Sequence, residues 1–467
     1  MKLKLWIILL LIGSIYADHR PNILYMMSDD QAWNGLSAKM HPDNESSKSS
    51  VIQTPVLEKL ATEGMRFSKA YAPSPVCSPT RISFQTGLSP AVLHWTRASG
   101  SVTAVENYPM VGPKNIRAIA VESITIGELL KASGYMTAHY GKWHINGGGP
   151  GEHGYDEHDG DIGNEVAENY HDPNPADVFG MAERALGFMK KAKDRDKPFF
   201  IQMSYHALHA PLNASAENKA KYAKLMPGGN EKEIGRAAIS EDLDRSVGEV
   251  LKALDRLGLA KNTYVIYTSD NGAGGKRGPL RGGKGDVWEG GIRVPLIVRG
   301  PGVESNSWCH ETVVGYDWYP TFCRWAGIKN LPEALEGGDL SKLLESGQGK
   351  VERVRGHLVF HFPHYQGDSP HTALLWENYK LIKFYESGQS SLYDLNQDLA
   401  ETHDLSQTHK HLHDELHEKM EQYLIEVNAQ MATKNPEYDP SKPTVPKKGG
   451  KLAKNKNDKP KKNKKKK

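Results

Sequence analysis

The chain has 467 residues, 25% of them charged, and a mean hydropathy of −0.58. That is enough chain for one large domain and a smaller one, and it excludes a bundle of membrane helices. The formal net charge is +3, yet residues 447–467 hold twelve Lys and one Asp, so the rest carries −8. A slightly acidic body with a basic tail excludes a nucleic-acid enzyme, whose basic residues line its folded surface.

In chain order, Met1-Lys-Leu-Lys4 is a short basic region, followed by apolar residues 5–12 and small residues ending at Ala17. That order reads as a secretory signal peptide over 1–17. The mature chain is expected in the periplasm or outside the cell, with no transmembrane segment after removal of the signal. Residues 22–27 are a short apolar run ending in Ser28-Asp29-Asp30, a buried strand with two carboxylates at its end. Residues 182–193 have the spacing of an amphipathic helix. Residues 198–204 read as a second strand, ending in His206 and His209. Residues 234–257 place Ile239, Leu243, Val247, Val250, Leu251 and Leu254 on one helical face. Residues 263–268 read as a third strand, ending in Asp270-Asn271-Gly272. Alternating strands and helices predict an α/β fold with a mostly parallel central sheet flanked by helices. Ligands bind at the carboxyl ends of such strands, so three polar strand ends point at one crevice.

Past Glu336 the pattern changes. Residues 356–362, 372–376, 379–385 and 391–395 read as short strands of a small antiparallel sheet. Leu412, Leu416, Met420, Tyr423 and Val427 then mark one helix. The expected division is a signal peptide over 1–17, a catalytic domain over 18–335, a C-terminal α+β subdomain over 336–435 and a disordered Lys-rich tail over 436–467. Of the three Cys, Cys309 and Cys323 are able to pair in an exported chain, which leaves Cys77 as the odd one.

Cys77-Ser-Pro-Thr-Arg81, followed by Thr86-Gly87, resembles the type I sulfatase signature: Cys, any residue, Pro, any residue, Arg, four residues, Thr-Gly. Asp29-Asp30, Gly141-Lys142-Trp143-His144, residues 206–211, Asp270-Asn271-Gly272, Gly283-Lys284-Gly285 and the phrase from Trp288 to Pro295 occur in that family's order. The resemblance runs over 21–327 and more loosely beyond. It implies an alkaline-phosphatase-like fold and conversion of Cys77 to formylglycine by a formylglycine-generating enzyme. It also implies a single Ca2+ ion, held by Asp29, Asp30, Asp270 and Asn271 with the modified Cys77 as a further ligand. Arg81 is then set against the formylglycine hydrate, Lys142 and Lys284 hold sulfate oxygens, His144 takes the second hydrate proton, and His209 with Lys284 protonates the leaving oxygen. His206 supports His209.

Elementary chemistry asks for the same set. A sulfate monoester is a stable anion, so a catalyst must supply a nucleophile, screen charge and protonate a leaving alkoxide. A serine would form a sulfate ester that is itself hard to hydrolyse, whereas a hydrated aldehyde has a built-in release step. Carboxylate and amide oxygens suit a hard cation. If the segment enters a helix at Cys77, Arg81 lies one turn on along the same face.

The expected substrate is a sulfated carbohydrate, from export and the resemblance. The alternatives are a phosphatase or phosphonate hydrolase of the same superfamily, and a sulfated-glycan binding protein with a dead site. Residues around the pocket mouth must select the sugar. His94 and Arg97, flanking Trp95, form one candidate segment; His361 and His364, beside Tyr365, form another. The acidic, His-rich stretch 152–171 reads as a solvated loop. The Lys-rich tail is either a solvated end or a contact for a polyanion.

Overall fold

The computed structural model describes residues 20–98, 107–274 and 278–442. The signal peptide expected over 1–17 and the Lys run from 447 onward lie outside the described residues.

The strand Asn22–Ser28 is buried along its whole length. Its alternate side chains serve two different cores: Leu24 and Met26 face one layer, Ile23, Tyr25 and Met27 the other. A strand apolar on both faces belongs inside a parallel sheet covered on both sides. Its neighbours are Thr263–Ser269 and Phe199–Ser204, both parallel to it. Met136–Gly141 and Glu157–His158 continue the parallel array on the far side of Phe199–Ser204. On the other side Leu296–Arg299 runs antiparallel, followed by Met65–Phe67 and Ser307–Cys309, which completes eight strands. The sheet is therefore mixed but dominated by parallel pairs, as expected. Met136–Gly141 was not legible as a strand: Thr137 and His139 interrupt its apolar run, and both are buried by bonding polar groups inside the fold.

Helices Pro55–Glu63, Val178–Asp194 and Glu231–Leu257 cover one face. The long one starts where Asn230 caps Lys232 and Glu233 while Glu233 reaches back to Asn230, and it stops at Gly258 in the left-handed region. Cys77–Thr86, Ile126–Ala132 and Trp318–Trp325 cover the opposite face. Each fully buried Leu, Ile or Met contributes roughly 1.5–3 kcal/mol, so the layers hold the strand ends firmly.

The C-terminal sheet is a meander of Leu358–Phe362, His371–Trp376, Tyr379–Phe384 and Ser390–Asp394. Helix Lys410–Glu426 packs Leu416, Met420 and Leu424 on one face of it. The other face, including Phe360, Phe362, Leu375 and Ile382, packs on Val76, Val287, Trp288 and Ile292 of the larger unit. Leu340, Leu343 and Leu344 pack instead with Trp318 and Phe322. The expected disorder from residue 436 begins too early. Thr433–Lys434 pairs with Met110–Val111, and the Asn107 side chain donates to the Asp439 carbonyl and accepts from its N–H, so a strand pair and one amide side chain tie down a segment poor in apolar residues. Cys309 and Cys323 are free buried thiols and do not pair. Among the described residues, no helix is long and apolar enough to cross a membrane.

Candidate active site

Four adjacent parallel strands end level with one another: Ser28 is in register with Ser269, Met27 with Ser204, and Gly141 with Ser204. Immediately beyond them come Asp29-Asp30, Asp270-Asn271, the loop bearing His206 and His209, and Lys142 with His144. Asp29 N donates to Ala207 O at 2.8 Å and Leu208 N to Asp29 O at 2.6 Å, which binds the histidine loop to the acidic strand end. Gly141 is the hinge of the Lys142 turn: its φ is +87°, and a Cβ there would lie 2.2 Å from Ser204 O.

Cys77 opens the helix Cys77–Thr86, after Val76 in extended conformation. Pro79 sits in the first turn, where a missing N–H costs nothing. The helix is buried throughout, and Arg81 comes round beneath Cys77 as the spacing predicts. Its Nη2 is 2.7 Å from Asp270 Oδ2 and 3.7 Å from Asp29 Oδ2, and its Nη1 donates to Lys142 O at 2.6 Å. Cys77 Sγ is 3.4 Å from Asp29 Oδ1 and 3.5 Å from Lys284 Nζ. In formylglycine an aldehyde oxygen replaces that sulfur.

Asp29, Asp30, Cys77 and Asp270 each offer an atom within 4.8 Å of the others, close enough to share one metal ion. Asn271 donates Nδ2 to Asp30 Oδ1 at 2.7 Å, and its Oδ1 is buried with no hydrogen-bond partner. A buried amide oxygen without a donor is costly unless a cation takes it. The oxygen-rich donor set with this orphan acceptor fits a hard cation such as Ca2+.

The cations are shared among the carboxylates. Lys142 Nζ is paired with Asp29, and Lys284 Nζ lies 2.6 Å from Asp30 Oδ1. Burial alone would raise the Asp29 carboxyl, but Lys142, His209, Arg81 and Lys284 hold it well below the usual range. Burial and the Asp29 charge push Asp270 up to about 6, against Arg81 and Lys142. Burial would lower the Lys284 ammonium, but Asp30 holds it well above the usual lysine range. His144, whose backbone is left-handed, is pushed down to about 2 by burial and by Lys142 and Arg81. His206 is pushed down to about 3 by burial and Lys142. Both Nδ1 atoms are buried without partners. His209 Nδ1 donates to Ala210 O at 2.7 Å, which leaves Nε2 as the basic nitrogen of the neutral ring.

All the core positions expected from sequence thus converge on one point. The two segments expected at the mouth also meet each other: Thr96 Oγ1 and His364 Nε2 are 2.8 Å apart. Arg97 is half-buried with an unpartnered Nε, and His94 has a left-handed backbone and an unpartnered, buried Nε2. His361 differs. Its Nδ1 bonds Thr372 Oγ1 at 2.6 Å and its Nε2 bonds Gln430 O at 3.0 Å, so both ring nitrogens are spent inside the protein. Sequence reasoning missed Lys380 and Glu401, two fully buried charged residues that pair behind the Lys284 loop. No motif marks them, and only their location makes them noteworthy.

A family model described as Sulfatase matches residues 21–328, and one described as N-sulphoglucosamine sulphohydrolase, C-terminal, matches residues 283–430. A protein named Sulfatase from Formosa agariphila is 28% identical over 88% of this chain and 90% of its own length. The N-acetylgalactosamine-6-sulfatase of Mus musculus is 31% identical over 71% of this chain and 68% of its own. The solved structure of Ps i-CgsB in complex with k-i-k-neocarrahexaose shares the fold, with a TM-score of 0.73 at 24% identity over 88% of this chain and 94% of that one.

Proposed function

The chain belongs to the sulfatase family, hydrolases of sulfuric esters, and from that premise we propose that it cleaves sulfate monoesters of a carbohydrate, with Cys77 matured to formylglycine and one Ca2+ ion held by Asp29, Asp30, Asp270 and Asn271. The observation that carries the proposal is the placement of Cys77 on a buried helix end, 3.4 Å from Asp29 and 3.5 Å from Lys284. A formylglycine there supplies a hydrated aldehyde, one hydroxyl to attack sulfur and a second whose deprotonation expels sulfate, and calcium supplies charge neutralisation.

The chain's own residues do the rest. Arg81 is charged and immobile between Asp270 and Asp29, so it fixes the polarity beside position 77 without moving. Lys142 and Lys284 present ammonium groups to a sulfate anion. His144 is neutral and able to accept a proton at a ring nitrogen. His209 sits below its ordinary range because burial disfavours its charge; an arriving sulfate anion reverses that, so the ring takes a proton and passes it to the departing oxygen. Arg97 and His94 form the wall that reads the sugar, and the buried His364 backs it through its bond to Thr96. A relative named for N-acetylgalactosamine and a fold neighbour solved with a neocarrahexaose support a carbohydrate substrate. The basic–apolar–small order of residues 1–17 supports export.

Mass spectrometry of the peptide spanning Cys77 tests the reading. The active protein carries formylglycine at that position; full turnover of an aryl sulfate by a sample containing only unmodified Cys77 would refute it. A panel of defined sulfated saccharides then identifies the sugar.

A further inference from the structure

The C-terminal sheet grips the segment that bears Lys284. Gly367 N donates to Gly285 O at 2.9 Å, Val287 N to His371 Nε2 at 2.9 Å, and Trp288 Nε1 to Asp368 Oδ2 at 3.3 Å. The strongest hold is one residue further on. Lys380 Nζ, on the strand Tyr379–Phe384, lies 2.9 Å from Glu289 Oε1 and 2.8 Å from Glu401 Oε1. Glu401 Oε2 accepts Glu289 N at 2.7 Å. The other oxygen of Glu289 accepts from Arg293 Nε at 2.6 Å and from Tyr71 Oη at 2.9 Å. Lys380, Glu289 and Glu401 are wholly buried, and Arg293 and Tyr71 almost so. Two cations meet two carboxylates, so the cluster is neutral. Apolar residues would fill such a site at lower desolvation cost. What the charges add is direction, because every oxygen of Glu289 is fixed from a named side.

Glu289 heads the short helix Glu289–Ile292. Gly291 O accepts Gly272 N at 2.9 Å, and Gly290 N donates to Arg281 O at 2.7 Å. A Cβ at Gly272 would lie 1.9 Å from Gly290 O, so the two backbones are in direct contact. Gly272 follows Asn271, the residue with the orphan amide oxygen. On the other side, Lys284 N donates to Ala273 O at 3.0 Å and Gly285 N to Pro75 O at 2.9 Å, two residues before Cys77. A displacement of Glu289 is therefore passed to Asn271 and to Lys284 through backbone contacts that have no slack.

We propose that Lys380 is a positioning residue of the sulfate site, acting through Glu289 and Glu401 to fix Asn271 and Lys284. The C-terminal sheet is then a part of the catalytic apparatus rather than an appended layer. The inference rests on the sulfatase reading and on Asn271 as a calcium ligand.

Two variants of the full chain test it, and both keep the cluster neutral. Lys380→Met with Glu401→Gln removes one cation and one anion. Lys380→Arg keeps the charge but replaces a compact ammonium by a planar fork. The measurements are melting temperature, calcium affinity by titration calorimetry, and kcat on an aryl sulfate. Outer residues that orient ligands typically govern about 10–100-fold in metal affinity or activity. Both variants are expected to melt cooperatively and to lose about that much in calcium affinity and in kcat. A purely structural role lowers the melting temperature and leaves both constants of the folded protein at the wild-type level, and that result from either variant overturns the proposal. A wild-type chain that neither binds calcium nor cleaves the sulfate would instead overturn the sulfatase reading, and this inference with it.

Discussion

At the scale of single residues, burial decides what each group can do. His144 and His206 are held neutral by their surroundings, whereas the Lys284 ammonium is held charged by Asp30. The same pocket thus contains neutral imidazoles and a fixed cation, a separation of charge states that an exposed set of identical residues would lack. His209 is also lowered by burial, and the proposed role is that of a donor that charges only with an anion beside it. Its loss should therefore depend on the leaving group. His209→Ala is expected to lower kcat on an alkyl sulfate by roughly 10²–10⁴-fold and to change turnover of nitrophenyl sulfate far less, because nitrophenolate departs without a proton. Equal losses on both substrates would remove His209 from the role of acid. The residues of this set were legible in sequence because their chemistry is local to short motifs. Their protonation was not, since Lys142 and Arg81 reach His144 from different elements.

At the scale of elements, the C-terminal sheet has two distinct relations to the site. His364 is buried and bonds Thr96, beside the Arg97 proposed to read the sugar. Arg97→Ala or His94→Ala should lower kcat/KM on the sulfated saccharide by roughly ten- to a hundredfold, the scale of a lost hydrogen bond to a charged group, and leave an aryl sulfate unaffected. Parallel losses on both substrates, with a lower melting temperature, would assign these residues to packing. His361, three residues earlier in sequence, is a structural histidine bonded to Thr372 and Gln430. Burial pushes it down to about 4, below the ordinary 6.5. A depressed value means that its contribution to stability is complete above about pH 6.5 and is lost as the pH falls toward 4, by up to about 3 kcal/mol. The acid-side fall in melting temperature should accordingly be shallower in His361→Gln than in wild type; superimposable pH profiles would contradict this. The sequence offered His361 and His364 as an equivalent pair. Only strand register separates them, since His361 faces Thr372 within the sheet while His364 lies past the strand end.

At the scale of the whole molecule, charge is unevenly distributed. The body carries −8 and residues 447–467 carry +11. The last described residues, up to Lys442, are tied to Asn107, whose neighbour Tyr108 stacks on Tyr365 with ring centroids 4.2 Å apart. The described residues therefore end on the side of the molecule that bears His364. Deleting residues 447–467 should weaken retention on a sulfated polymer at low salt and leave turnover of a small sulfate ester unchanged. Retention equal to that of the full chain would assign the run to a solvated end.

The sequence by itself determined the family and the fold class, a mostly parallel sheet flanked by helices with a small antiparallel sheet after it. Apolar runs with period two or 3.6 specify strands and helices locally, and the Cys77 to Gly87 signature fixes its residues by spacing along one helix. That was enough to place Asp29, Asp270, His209 and Cys77 at strand and helix ends facing one crevice. The tertiary structure alone decided which parts of the chain support that crevice. Met136–Gly141 joins the sheet despite its polar residues because Thr137 and His139 find partners there. The 436–442 segment is tied to the Asn107 side chain, and Cys309 and Cys323 stay apart. Lys380 and Glu401 are ordinary charged residues in sequence; burial against Glu289 makes them part of the site. Contacts between residues about 90 to 110 positions apart leave no local pattern to read, since they exist only once the sheets have packed.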